Sequence, residues 1–230
     1  MKGKTIIFLL ATTMSVQSFG QKKKVEYLDT LGNKADFMTF MSIYNTGKYR
    51  WSYDNSNEKI RYIKWQRYNQ AAVDSVLRQT ESKVLIKEKI GTKFNYLGFR
   101  DVNGNTYSEE DLKGKILVIN FWFVGCGPCE IEMPELNELV NQYKGNSDIV
   151  FISFSRSSES KTRQFLTRKT FNYPAVSMDE TLRNEFKIPV YPTNYVIDKN
   201  GTYSFASKGI SAGSVTLIDK AIQELLTKQQ

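Results

Sequence analysis

Phe121-Trp122-Phe123-Val124-Gly125-Cys126-Gly127-Pro128-Cys129 follows the apolar run Lys115–Asn120 (KILVIN) and leads into Glu130–Tyr143, a stretch with helical character. The pattern reads as strand, short turn and helix, with both of the chain's cysteines at C-x-x-C spacing where the turn becomes the helix. A helix N-terminus carries partial positive charge and unpaired N–H groups, so a thiol in its first turn ionises more readily than a free one. The second thiol lies about one turn further along the same face and can attack a mixed disulfide formed at the first. The stretch therefore predicts thiol–disulfide exchange, with Cys126 as the attacking and Cys129 as the resolving thiol.

The rest of the composition narrows the chemistry. The chain has 230 residues, 40% apolar and 13% aromatic, enough for one or two domains with a buried core. It contains no histidine, which excludes cysteine–histidine and serine–histidine–aspartate nucleophiles and imidazole proton shuttles. With 2 cysteines and no histidine, a structural zinc site within one chain is excluded too, and no cofactor is expected. A disulfide between Cys126 and Cys129 closes too small a loop to add much stability, so its value must lie in chemistry.

Residues 1–20 read as a signal peptide. Lys2 and Lys4 form a positive n-region, Ile6-Ile7-Phe8-Leu9-Leu10-Ala11 begins the apolar region, and Ser18 and Gly20 supply small residues before cleavage at Gln21. Thr12, Thr13, Ser15 and Gln17 interrupt the apolar run, which argues against a transmembrane anchor. No cysteine adjoins the cleavage site, so lipoprotein modification there is not expected. The mature chain is expected to be periplasmic or otherwise extracytoplasmic, where disulfides persist.

The formal charge of +8 is uneven. Residues 21–85 hold 12 Lys and Arg against 7 Asp and Glu, a net +5, whereas residues 86–230 hold 18 against 17, a net +1. The basic segment therefore reads as an N-terminal module separate from the cysteines. Lys22-Lys23-Lys24 reads as a leader, Val25–Asp29 as a short strand, and Leu31-Gly32-Asn33 as a turn. Ile43-Tyr44, Tyr49–Tyr53 and Ile60–Trp65 alternate apolar or aromatic with polar residues, the last two as a hairpin across Asp54-Asn55-Ser56-Asn57. Tyr68 to Leu85 reads as a helix with Ala72, Val76 and Leu77 inward. Interleaved basic and aromatic residues can bind nucleic acid. An amphipathic hairpin explains them as well, and no nucleic-acid partner is expected of a secreted chain.

From residue 86, strands alternate with helices. Strands are expected at Phe94–Asp101, Ile116–Phe123, Ile149–Ser153 and Tyr173–Ser177, with a hairpin of Tyr195–Asp198 and Thr202–Phe205 about Lys199-Asn200-Gly201. Helices are expected at Ser108–Leu112, Glu130–Tyr143, Lys161–Lys169, Glu180–Phe186 and Val215–Leu226. This order describes an α/β domain with a central mixed sheet covered by helices, residues 86–230, after a small α+β module, residues 21–85.

The segment from about Gly91 to Gln230 resembles thioredoxin-fold oxidoreductases, specifically the secreted TlpA/ResA-like thiol-disulfide oxidoreductases. The match is carried by Gly114–Trp122, Cys126-Gly127-Pro128-Cys129, Glu132-Met133-Pro134, Tyr191-Pro192-Thr193, Val196-Ile197-Asp198 and Gly201. It implies a thioredoxin-like fold, a redox-active Cys126–Cys129 pair, and a cis-proline at Pro192. Tyr191, Pro192 and Thr193 would then bind substrate beside the pair, an ordinary trans proline being the plain alternative. Pro134 would kink the active-site helix. Gly127, Pro128, Trp122 and Asn120 would support the site.

Cytoplasmic thioredoxins bury an aspartate where this chain has Asn120, an amide that cannot exchange a proton. The resemblance instead puts an acid at Glu132, on the same side of the helix as Cys129. There a carboxyl with a raised pKa could take up or return the resolving thiol's proton, unless it merely complements the helix dipole as Glu130 does. Gly125 stands where the family usually carries tryptophan, which leaves the surface around Cys126 more open.

The Gly-Pro dipeptide offers no side chain to stabilise a thiolate, so the expected potential lies nearer about −270 mV than the strongly oxidising end near −120 mV. The expected activity is reduction of protein disulfides, for repair or for the haem-site cysteines of a c-type cytochrome precursor, with electrons from a membrane thiol–disulfide relay. A peroxiredoxin-like peroxidase would carry Thr or Ser where Phe123 stands and an arginine nearby. A binding protein on a redox scaffold is the non-enzymatic alternative.

Overall fold

The computed structural model describes residues 23–57 and 59–228. The expected signal peptide, its cleavage site and Lys22 lie outside the described residues.

The first unit is a four-stranded sheet with two helices. Strands β1 (Lys24–Leu28), β2 (Lys34–Ala35), β3 (Tyr49–Asp54) and β4 (Ile60–Arg67) lie in the order β2-β1-β4-β3. The hairpin β3–β4 sets Trp51 directly opposite Trp65. Helix α1 (Phe37–Asn45) lays Phe40 against the resulting aromatic face, 4.8 Å from the rings of both Tyr27 and Trp65. Ile43 and Tyr44 are thus helical, not part of a strand. The overlooked signal is Asp36, whose carboxylate accepts the Thr39 N–H at 2.7 Å and caps the helix. Helix α2 (Gln70–Val84) follows, capped in the same way by Asn69.

The second unit begins with a two-stranded ribbon, β5 (Phe99–Arg100) and β6 (Thr106–Tyr107), and a single helical turn, α3 (Glu109–Leu112), closed by a Ser108–Asp111 capping box. The expected strand Phe94–Asp101 is cut to its last residues. Phe94 bonds instead to Gly201 and turns its ring onto Phe186 and Tyr203, so the segment covers the sheet face. Then come β7 (Ile116–Trp122), α4 (Gly127–Gln142), β8 (Ile149–Ser155), α5 (Glu159–Leu166), β9 (Ala175–Ser177), α6 (Glu180–Phe186), β10 (Thr193–Ile197), β11 (Tyr203–Lys208) and α7 (Ser214–Thr227). The sheet order is β11-β10-β7-β8-β9, with β7, β8 and β9 parallel and β10 and β11 antiparallel to their neighbours. This is the expected mixed sheet flanked by helices, a thioredoxin-like fold.

Every residue of β7 is buried, because helices cover both faces of the central strand. Alternation sends Ile116, Val118 and Trp122 into the core beneath α4 and α7, and Leu117, Ile119 and Phe121 into the opposite core with Phe154 and Phe186. Asn120 falls in the first set by parity. It is therefore aimed at the underside of α4.

The two units are packed together. On α1, Ser42 Oγ donates to the Ile131 carbonyl of α4 at 3.1 Å. On α2, Thr80 Oγ1 donates to the Ala212 carbonyl at 2.5 Å, and Leu77 and Val84 join the core under α4 and α7. At Gly47, φ is +69° and a Cβ would stand 2.9 Å from the Gly213 backbone nitrogen. Substituting Gly47→Ala combines a left-handed conformation with a backbone clash and is expected to cost about 2 kcal/mol. A fall in the urea midpoint at unchanged slope checks this; an unchanged midpoint would contradict the close packing of the units.

Candidate active site

Cys126 is the N-cap of α4 and its Sγ accepts the Cys129 N–H at 3.2 Å. The helix thus begins at Gly127, with the cysteines at its first turn as the spacing predicts and the Cys126 sulfur itself supplying the capping acceptor. Pro128 occupies the first turn, where a missing N–H costs nothing, and Glu130 complements the dipole there. Cys126 and Cys129 are joined as a disulfide with Cα atoms 5.3 Å apart. Both are buried, the first slightly less than the second. The same N–H and the helix end put partial positive charge against the Cys126 sulfur.

Three parts of the chain meet at this turn. The Tyr191–Pro192 peptide is cis, and Thr193, the first residue of β10, pairs with Phe121 near the end of β7. Tyr191 sets its ring edge-on to Phe123 at 5.4 Å, and Thr193 Oγ1 donates to the Val190 carbonyl at 2.8 Å. Trp122 is fully buried between Phe165 and Phe171, which makes it a core support and keeps its ring off the surface. Gly125 has φ +91° and faces open space where a side chain would begin, so the turn before Cys126 is open on its outer side.

One turn along α4 from Cys129 lies Glu132, 0% exposed. Two amides hold its carboxyl. Asn120 Nδ2 donates to Oε1 at 2.8 Å and to Asn194 Oδ1 at 2.8 Å, while Asn194 Nδ2 faces both carboxyl oxygens at 3.4 Å. The arrangement follows from register: Asn120 on β7 and Asn194 on β10 are direct antiparallel partners, and α4 crosses above them. Burial pushes the Glu132 pKa up to about 8, against the opposing effect of the two amides. The buried Tyr173 is close enough to feel its charge, and the Tyr173 hydroxyl has no hydrogen-bond partner among the described residues.

One turn further along α4, burial lifts Glu135 to about 7, opposed by Lys48, Asn45 and Thr216. Asn45 Nδ2 of α1 donates to its carboxylate at 3.4 Å. Sequence reasoning missed Asn194, Tyr173, Glu135 and Asn45. Asn194 left one trace, an amide beside the otherwise apolar run Tyr195–Ile197, but its partner is 74 residues away.

Comparison with known proteins agrees with this geometry. The AhpC/TSA family profile matches residues 90–205. The thioredoxin-like protein YneN of Bacillus subtilis is 28% identical over 127 residues, covering 54% of this chain and 75% of its own. The thiol-disulfide oxidoreductase ResA of Bacillus cereus is 30% identical over 116 residues, covering 50% and 67%. Among solved structures, a thiol:disulfide interchange protein of Chlorobium tepidum superposes with a TM-score of 0.53 at 22% identity, over 59% of this chain and 97% of that one. Fold and dithiol together define a thioredoxin-like redox protein. Within the AhpC/TSA family, the chain belongs to the TlpA/ResA-like thiol-disulfide oxidoreductases.

A carboxyl whose folded pKa is raised binds its proton more tightly in the native state. Its stabilising contribution is complete below the unfolded pKa of about 4.5 and is lost as pH rises through about 8. Glu132→Gln is therefore expected to flatten the decline of stability over that window, leaving the part due to Glu135, which ends near pH 7. Urea midpoints measured from pH 4 to 9 check this. An identical decline in wild type and variant would contradict a protonated Glu132.

Proposed function

We propose that the chain is a secreted protein-disulfide reductase working through Cys126 and Cys129. The Cys126 thiolate attacks one sulfur of a substrate disulfide, that S–S bond breaks, and the other substrate sulfur leaves as a thiolate. The Cys129 thiolate then attacks Cys126 in the mixed disulfide. The Cys126–Cys129 bond forms, and the second substrate thiol departs with the electron pair. Two electrons pass to the substrate, and a membrane thiol–disulfide relay returns them by reducing the pair.

The observation that carries this reading is the Cys126–Cys129 disulfide at the start of α4, with the carboxyl of Glu132 wholly buried one turn along the same helix. An acid poised there takes the proton of Cys129 as it becomes a nucleophile and returns it when the pair is reduced again. Half-buried Tyr191 forms the rim on which substrate backbone lies, buried Pro192 and Thr193 hold that rim in place, Asn120 positions the acid, and Gly127, Pro128 and Trp122 shape the turn. The leader-like residues 1–20 support export to the periplasm, where such a reductant acts on mispaired proteins or cytochrome precursors. Among the described residues, no helix is long and apolar enough to cross a membrane. Phe123 stands where a peroxidase would carry a hydroxyl residue, which disfavours that alternative.

Wild type is expected to reduce insulin disulfides with a dithiol donor, and Cys126→Ser to lose at least about 10³-fold of that rate. Cys129→Ser should accumulate a mixed disulfide with substrate. The reduction potential of the pair is expected near about −270 mV; a value near −120 mV would reverse the direction of the reaction. Equal insulin reduction by wild type and Cys126→Ser would overturn the enzymatic reading.

A further inference from the structure

We propose that a basic cleft beside the dithiol selects substrates carrying an acidic side chain next to the cysteine under attack. The inference rests on the reductase reading above and adds a substrate class to it. The cleft has a volume of about 360 Å³ and is lined by Arg156, Arg183 and Lys187, with Phe186, Ile188 and Tyr191 as its apolar walls.

Its position ties it to the chemistry. The Arg156 N–H donates to the Trp122 carbonyl at 2.9 Å, and the next residue, Ser157, accepts the Val124 N–H on its Oγ at 3.0 Å. The cleft's Arg156 side is thereby pinned to the turn that carries Cys126. On the other side Tyr191 precedes Pro192 and packs against Phe123. A polypeptide whose cysteine reaches Cys126 across this rim brings its neighbouring side chain to the cleft.

The charges there are uncompensated. Among the described residues, none of Arg156, Arg183 and Lys187 forms an ion pair, and the α6 carboxylates Glu180 and Glu185 reach none of them. Arg183 is held in place by carbonyls instead, donating from Nε to Met178 at 3.0 Å and from a terminal nitrogen to Arg156 at 3.2 Å. Arg156 and Arg183 both act on the Tyr191 phenol, opposing the upward push of burial, so the positive field extends to the rim. Residues 86–230 carry a net charge of only +1 (18 Lys and Arg against 17 Asp and Glu), so three unpaired cations around one cleft are a local concentration. Cations on apolar walls, one of them held in place, suit a carboxylate on a short hydrocarbon stem, Asp or Glu, better than a free hydrated anion.

The test uses two disulfide-linked peptides that differ only in Glu or Gln beside the cysteine. The readout is the ratio of their kcat/KM values with the full mature chain. Wild type is expected to prefer the Glu peptide about fivefold at low salt, with the ratio falling toward one at high ionic strength. Arg156→Glu with Lys187→Glu should reverse the preference, whereas Arg78→Glu with Lys83→Glu, the same charge change on α2, should keep it. A ratio of one in wild type, or a preference that survives the double reversal, would overturn the proposal. So would a preference shown by glutathione disulfide alone, which would mark a small-molecule site. Binding of the Glu peptide with its cysteine replaced by serine to the oxidised protein separates the two readings. Charge-dependent binding without turnover upholds the cleft and overturns the reductase reading; turnover of both peptides without charge-dependent binding does the reverse.

Discussion

The structure depends on keeping one carboxyl, Glu132, out of water on the helix that carries the disulfide. Desolvating a carboxylate costs several kcal/mol unless partners replace the lost water. Here two amides from adjacent strands do so only in part, and the acid responds by holding its proton to a pKa about 8. Asn120 and Asn194 can serve it only because β7 and β10 pair in one register and α4 crosses above both. A shift of one residue in that pairing would turn Asn194 to the opposite face.

The same helix joins the rest of the molecule to the site. Its N-terminus carries Cys126 as a cap, its first turn carries Cys129, and its underside carries Glu132 and the core residues Met133, Leu136 and Leu139. The N-terminal unit is bound to this helix and to α7, and Asn45 reaches Glu135 from α1. The basic aromatic segment that looked separable in sequence thus supplies one wall around the second, half-buried acid. Phe40, Tyr27 and Trp65 meet in its own small core, while Phe37, Tyr44, Trp51 and Tyr53 stay exposed.

Where the sequence reading departed from the structure, a local signal had been overridden or overlooked. Ile43-Tyr44 looked strand-like in isolation, yet the Asp36 cap and the burial of Phe40 place them in a helix. Phe94–Asp101 has strand composition, but Phe94 is worth more to the aromatic core against Phe186 and Tyr203 than to a ladder.

By itself the sequence determined the redox pair, the strand–turn–helix that presents it, the order of the elements in the mixed sheet, and Glu132 as the candidate acid. The first three follow from spacing and periodicity, which are local; Glu132 follows from the resemblance to TlpA/ResA-like proteins. Tertiary structure alone decided that Asn194 completes the cage around Glu132, that α1 and Asn45 reach Glu135, and that Arg156, Arg183 and Lys187 gather beside the dithiol. Each of those contacts joins residues from different elements. Their proximity is set by strand register and helix packing, which no short stretch of sequence encodes.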